Sequence, residues 1–303
     1  MVYNETNLSG KEDFLMIIDA HNHPNWYYMT ADKMVANMDA YGIDKCWLLS
    51  CEIPEGEYFL GEVGSIQLFG TDMTNMPFEN CIKYAEKYPD RFILGYAPDP
   101  RRPQALERLQ YARKTYGVKV CGEVKFRMML DDYDAVRMYR YCGEEGMPVT
   151  VHLQVPIYPE RRKFPRDAYW YSGNIDALER VLKLCPETAF LGHAQSFWAE
   201  ISGDGKAETD YYPSGKVVEG GKLIRLLETY PNLYCDISAG SGRGAFSRDP
   251  EFAAKFFNTY QDRVLFARDT LDNGHQELLR SLGLSDTVLD KIFYQNAQKL
   301  IRD

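Results

Sequence analysis

The chain has 303 residues, with 35 Lys+Arg against 44 Asp+Glu for a formal charge of −9. This length permits one large domain of α/β-barrel size, roughly 250 residues. An acidic balance without a long basic block argues against nucleic acid as a partner.

In chain order, the start MVYNETNLSGKEDF is a polar N-terminal extension (1–15) without an apolar signal core, and no apolar stretch of about 18 residues follows. This predicts a soluble, cytoplasmic protein that does not enter a membrane. Strand-like runs then alternate with amphipathic segments. Strands are predicted at 16–20, 44–50, 91–97, 118–126, 147–153, 188–193, 232–238 and 263–269. Helices are predicted near 31–41, 77–88, 103–116, 133–145, 174–184, 219–230, 249–260 and 285–301. Eight strands, each followed by a helix, predict a single α/β domain, a (β/α)8 TIM barrel spanning the chain. Proline precedes several strands, as in KYPDRF, LCPETAF and TYPNLY, followed by Asp or Asn in the first and last, marking tight turns. Connections after strands are long (51–76, 154–173, 194–218), and on a barrel that face carries the pocket. Seven cysteines (Cys46, Cys51, Cys81, Cys121, Cys142, Cys185, Cys235) occur singly, without a CxxC pair. They read as buried thiols in a reducing compartment.

Two of the five histidines stand in IIDAHNHP. Because side chains alternate along a strand, His21 and His23 share a face, an arrangement suited to a divalent metal. A histidine at a strand end is more often an ordinary satisfied polar residue. Here His152 and His193 end the fifth and sixth strands, and Asp269 ends the eighth, beside the first once a barrel closes. Together they predict a cluster suited to Zn²⁺, with Mn²⁺ or Fe²⁺ as alternatives. Glu123 and Lys125 in GEVKF again share a side: Glu123 as ligand or orienting group, Lys125 as a contact for substrate oxygen, or the two as an internal ion pair. The loop QVPIYPERRKFPRDAYWYSG offers Tyr158, Arg161, Arg162, Tyr169 and Trp170. SAGSGRGAF reads as a flexible glycine-rich rim around Arg243. Arginines near a metal suit a small carboxylate-bearing or hydroxylated substrate. His275 either rims the pocket or begins the final helices.

IDAHNHP, the strand-end His152 and His193, and LFARD resemble the amidohydrolase superfamily. The resemblance covers residues 16–301 and is to the amidohydrolase-related branch, which includes aminocarboxymuconate-semialdehyde decarboxylase, resorcylate decarboxylase and several lactonases. It implies that His21, His23, His152 and Asp269 hold one divalent metal and that His193 works beside it. Some amidohydrolases bridge two metals with a strand-four glutamate or carboxylated lysine, so a binuclear site is the alternative. The branch usually has a small residue where this chain has Arg268, which alternation turns towards the helices, into a structural salt bridge. The resemblance suits hydrolysis of an amide or lactone ester by metal-activated water, with Asp269 and His193 as catalytic residues. The alternative is non-oxidative decarboxylation of an unsaturated or aromatic carboxylate. A homo-oligomer is compatible with either.

Overall fold

The computed structural model describes residues 16–54, 57, 76–157 and 170–301. The N-terminal extension, residues 302–303 and much of two long loops, including Tyr158, Arg161, Arg162 and Tyr169, lie outside the described residues. All eight predicted strands are present: β1 Ile18–Asn22, β2 Lys45–Leu49, β3 Phe92–Gly95, β4 Cys121–Val124, β5 Val149–His152, β6 Phe190–His193, β7 Leu233–Asp236 and β8 Val264–Leu265. Each is parallel to its neighbour, in the orders β1-β2-β3 and β4 to β8. The ladder breaks at two seams, and backbone hydrogen bonds cross both. Tyr96 donates to Val120 and Lys119 to Leu94 between β3 and β4 (both 3.0 Å), and Ala20 donates to Phe266 (3.0 Å) and Asp269 to His21 (2.9 Å) between β8 and β1. The architecture is a (β/α)8 TIM barrel.

Two apolar layers account for the strand sequences. Ile18, Ala20, Trp47, Leu49, Val120, Leu191, Leu265 and Ala267 form one cluster. Residues of β2 and β6 meet there across the sheet, so this is the barrel interior. Ala297, Leu300 and Ile301 close it from the end opposite the strand C-termini. Their alternating neighbours, among them Cys46, Leu48, Phe92, Leu94, Phe190, Cys235 and Phe266, pack outward against the helices. Burial on both faces makes parallel strands read as continuous apolar runs. All seven cysteines are buried and none forms a disulfide.

The predicted helices also form, with boundaries set by local chemistry. Thr30 caps Ala31–Ala40, Asn174 caps Ile175–Leu184, and Asp249 caps Pro250–Thr259, whose proline occupies the first turn. Gly117, at φ 71°, ends Ala105–Tyr116 in the left-handed conformation. Two segments differ from expectation. The stretch predicted as a glycine-rich rim is the helix Ala239–Ser247, and the loop from 194 contains a short helix, Gln195–Trp198. Tertiary contact overrides the low helix propensity of glycine in the first: Gly242 packs so closely on the Ile237 carbonyl that a Cβ would sit 2.0 Å from it. No helix among the described residues is long and apolar enough to cross a membrane.

The strands carrying polar site residues depart from strict alternation. Pairing shifts register between Asp19 and Asn22 in β1, and between Cys121 and Val124 in β4. Cys121 and Val124, three residues apart, therefore both face the helices, which frees Glu123 to face the interior. Asp19 likewise turns outward, while His21 turns in.

Candidate metal centre

At the strand C-termini, the ends of β1, β4, β5, β6 and β7 bring together His21, His23, Glu123, His152, His193 and Asp236, and Asp269 follows β8. All but Asp269 are buried, and its side chain is 15% exposed. In all four imidazoles the protein engages Nδ1, and in His21, His23 and His193 it leaves Nε2 for the centre. His21 donates Nδ1–H to Asp236 Oδ2 (2.5 Å) and His23 donates to the Leu49 carbonyl (2.8 Å). His152 donates to Glu123 Oε1 (2.7 Å), and His193 Nδ1 pairs with Ser238 Oγ (2.9 Å). A partner on one ring nitrogen fixes which nitrogen keeps its lone pair.

The inward atoms are closely spaced. His21 and His23 present Nε2 atoms 3.1 Å apart. His23 Nε2 lies 3.5 Å from Glu123 Oε2 and 3.6 Å from Asp269 Oδ1. His193 Nε2 lies 3.7 Å from Glu123 Oε1 and 3.9 Å from Asp269 Oδ2. Ligands about 2.0–2.2 Å from one ion stand roughly 3.0–3.6 Å from their neighbours, so the donor set fits a divalent cation with small adjustments. Three overlapping groups could hold one: His21, His193 and Asp269; His21, His23 and Glu123; Glu123, His152 and His193. Asp269 Oδ1 is buried without a hydrogen-bond partner, a state that costs free energy unless a ligand relieves it.

Electrostatics follow from this crowding. Burial works against a charge on His21, but Asp236, Asp269 and Glu123 outweigh it and raise its pKa to about 10. Burial and the neighbouring His21 charge hold His23 down at about 3. Burial, reinforced by Glu123 and Asp236, lifts Asp269 to about 7. Three carboxylates packed among four imidazoles make the site receptive to a cation.

The other candidate residues divide. Lys125 is half-buried, with its ammonium 5.4 Å from the Tyr171 ring centre, and its charge acts on Glu123, His152 and Asp269. His152 sits in the cluster with Nε2 3.1 Å from Gln154 Oε1, a contact it would exchange on binding a metal. Arg161 lies outside the described residues. Arg243, expected at the substrate, is committed to Asp272 on the surface (2.9 Å). His275, read as rimming the pocket or beginning the final helices, lies buried at the start of the helix Gly274–Ser281, and its Nε2 donates to the Ala239 carbonyl (3.0 Å), bracing a second helix start. Arg268 makes the expected salt bridge, with Asp19 (2.8 Å).

Sequence reasoning missed Asp236, Ser238 and Trp26. Asp236 closes NLYCDIS on the rim where Asp269 follows RVLFAR, and that position was its signal. Trp26 donates Nε1–H to the Asp269 carbonyl (3.1 Å) and packs edge-on to His23; nothing in HPNWYY marks it out.

The amidohydrolase family profile matches residues 18–302. The chain belongs to the amidohydrolase family. It is an enzyme of that superfamily, in the amidohydrolase-related branch. Solved structures agree on the fold. An uncharacterised TIM-barrel protein from Bordetella bronchiseptica is 16% identical, with TM-score 0.61 over 94% of this chain and 98% of its own. A dihydroxybenzoic acid decarboxylase from Polaromonas, solved with manganese and 2-nitroresorcinol, is 16% identical, with TM-score 0.57 over 94% and 96%. A probable 2-pyrone-4,6-dicarboxylic acid hydrolase from Acinetobacter baumannii, solved with citric acid, is 13% identical, with TM-score 0.56 over 94% and 98%. No curated protein matches the chain.

Proposed function

We propose that this amidohydrolase is a metal-dependent hydrolase of an amide or lactone ester in a small, carboxylate-bearing substrate. The observation that carries the reading is the convergence of Nε2 atoms from His21, His23 and His193 with carboxylate oxygens of Glu123 and Asp269. His21, His23, Glu123, His152 and Asp269 form the donor set for one divalent ion, zinc in the first instance, with manganese or iron as substitutes. When bound, the ion supplies Lewis acidity towards a carbonyl oxygen and lowers the pKa of water. Asp269 accepts the proton of the attacking water and returns it to the leaving group, a role suited to a carboxylate standing at the edge of the donor set. His193 Nε2 stabilises charge developing on the attacked oxygen. Lys125, the cation beside the cluster, holds a substrate carboxylate. The protein acts in the cytoplasm on a small molecule.

A second reading, non-oxidative decarboxylation, uses the same donor set and the same Lys125 cation beside it. In it Asp269 delivers a proton to substrate carbon, while Lys125 positions the carboxylate that leaves as carbon dioxide. The Polaromonas decarboxylase shares the fold, as does the Acinetobacter hydrolase. The test is a screen of lactones, amides and hydroxylated aromatic carboxylates with metal-loaded protein, recording acid release and carbon dioxide together. Acid release without carbon dioxide supports hydrolysis, and carbon dioxide from a carboxylate supports the second reading. Full activity after exhaustive chelation would remove both.

A further inference from the structure

Asp236 closes β7 with its carboxylate fully buried, and among the described residues its ion-pair partners are imidazoles alone. A buried carboxylate is costly unless its lone pairs are used. Asp236 uses both oxygens towards the site. Oδ2 accepts Nδ1–H of His21 at 2.5 Å and lies 3.9 Å from His193 Nδ1. Oδ1 accepts the backbone N–H of Ser238 (2.9 Å), whose Oγ in turn meets His193 Nδ1 (2.9 Å). The strand end is pinned from outside, because the indole N–H of the buried Trp198 donates to the Asp236 carbonyl (3.1 Å).

We propose that Asp236 is a positioning residue that aims two imidazoles at once, His21 directly and His193 through Ser238. The proposal rests on the metal-centre reading and adds to it the group that sets ligand tautomer and angle. Of the two β1 imidazoles, His23 is held by a neutral backbone carbonyl, so His21 is the one of that pair whose donor strength a charged partner raises. A carboxylate can only accept, which forces the proton of His21 onto Nδ1 and leaves the Nε2 lone pair facing His23 and Glu123. Asparagine has the same shape but can present its N–H₂ to Nδ1, and that tautomer puts a proton on Nε2, where the metal must bind. His193 depends on Asp236 for aim alone, since Ser238 Oγ both donates and accepts.

The test compares parent, Asp236→Asn and Ser238→Ala, each stripped of metal and titrated with Zn²⁺ against a chromophoric chelator. Asp236→Asn should weaken zinc affinity by about 10- to 100-fold, the usual loss for an outer partner of a ligand, with unchanged circular dichroism. Ser238→Ala should stay within about threefold of the parent, because it removes no partner of His21. Five histidines keep the imidazole ¹H–¹⁵N spectrum of the zinc-loaded parent tractable. His21 should there show a protonated Nδ1, and His193 should shift or broaden in Ser238→Ala. The spectrum of the parent keeps the proposal falsifiable if Asp236→Asn does not fold. Zinc affinity in Asp236→Asn within threefold of the parent, or a protonated Nε2 on His21, overturns the proposal and leaves the metal centre standing. Failure of the parent to take up zinc, manganese or iron overturns both.

Discussion

Strands β1 and β8 carry two buried polar groupings back to back. On the outer side Arg268 donates Nε–H (2.8 Å) and its backbone N–H (2.9 Å) to Asp19, and Nη1–H to Asn37 of the helix Ala31–Ala40 (2.9 Å). On the inner side, two residues from Asp19 and one from Arg268, stand His21 and Asp269. The outer pair cancels its charge internally and joins a helix to the strands. The inner group crowds carboxylates together with fewer charges to answer them, while a single orphaned atom occurs on each side, Asp269 Oδ1 within and Arg268 Nη2 without. Burial is alike on both sides of β1, so burial alone does not distinguish a structural ion pair from a reactive centre. What distinguishes them is whether opposite charges meet one to one within the protein.

The largest effect should come from removing what the inner group awaits. Chelation, His21→Ala or His23→Ala should reduce turnover to background and sharply lower metal content by elemental analysis, since losing a ligand removes much of the binding energy. Unaltered stoichiometry in both variants would contradict the assignment. The outer pair should fail differently. Arg268→Met leaves Asp19 charged and buried, and should cost about 3–5 kcal/mol in denaturant unfolding, in metal-free and metal-loaded protein alike. A loss confined to the loaded form would make the pair part of the site and dissolve the contrast.

Next in size, His193→Asn should keep most of its metal while turnover falls roughly 10²-fold. In a binuclear centre the same change would halve the metal content, and Glu123→Gln would do likewise. Smallest is the pH dependence of metal uptake. His21 and Asp269 hold protons up to about 10 and about 7 in the metal-free protein, and a metal must displace them. Affinity should therefore rise with pH between 6 and 7, about tenfold for each proton displaced. A flat profile by chelator competition would show that the site takes up metal without losing protons.

Much of the fold was legible because a parallel barrel buries both strand faces, leaving apolar runs such as KCWLL and FILG between amphipathic helices. The rim residues were legible because several end different runs on one rim, although each alone is more often an ordinary satisfied polar group. Facing direction was less so. Strict alternation would set Asp19 beside His21, and only the register shift in β1 sends them apart. The helix Ala239–Ser247 was hidden by Gly240, Gly242 and Gly244, whose cost to a helix is offset by packing of Phe246 on Trp198. Arg243 and His275 stand near rim residues in sequence, and the structure adds their partners, Asp272 and the Ala239 carbonyl, which one sequence does not display. Asp236 shows the reverse: its function lies in what it holds, and one sequence does not display a second partner across 215 positions.

The seam between β8 and β1 has a consequence during synthesis. Arg268 and Asp19 are 249 positions apart, so on the ribosome the first strand, which meets β2 early, must wait for almost the whole barrel before its second neighbour exists. Until Asp269 emerges, His21 and His23 can belong to a polypeptide of nearly any state of completion without presenting the assembled cluster. Tight metal capture would thus mark finished molecules, and stabilise them preferentially over every partial chain that precedes them.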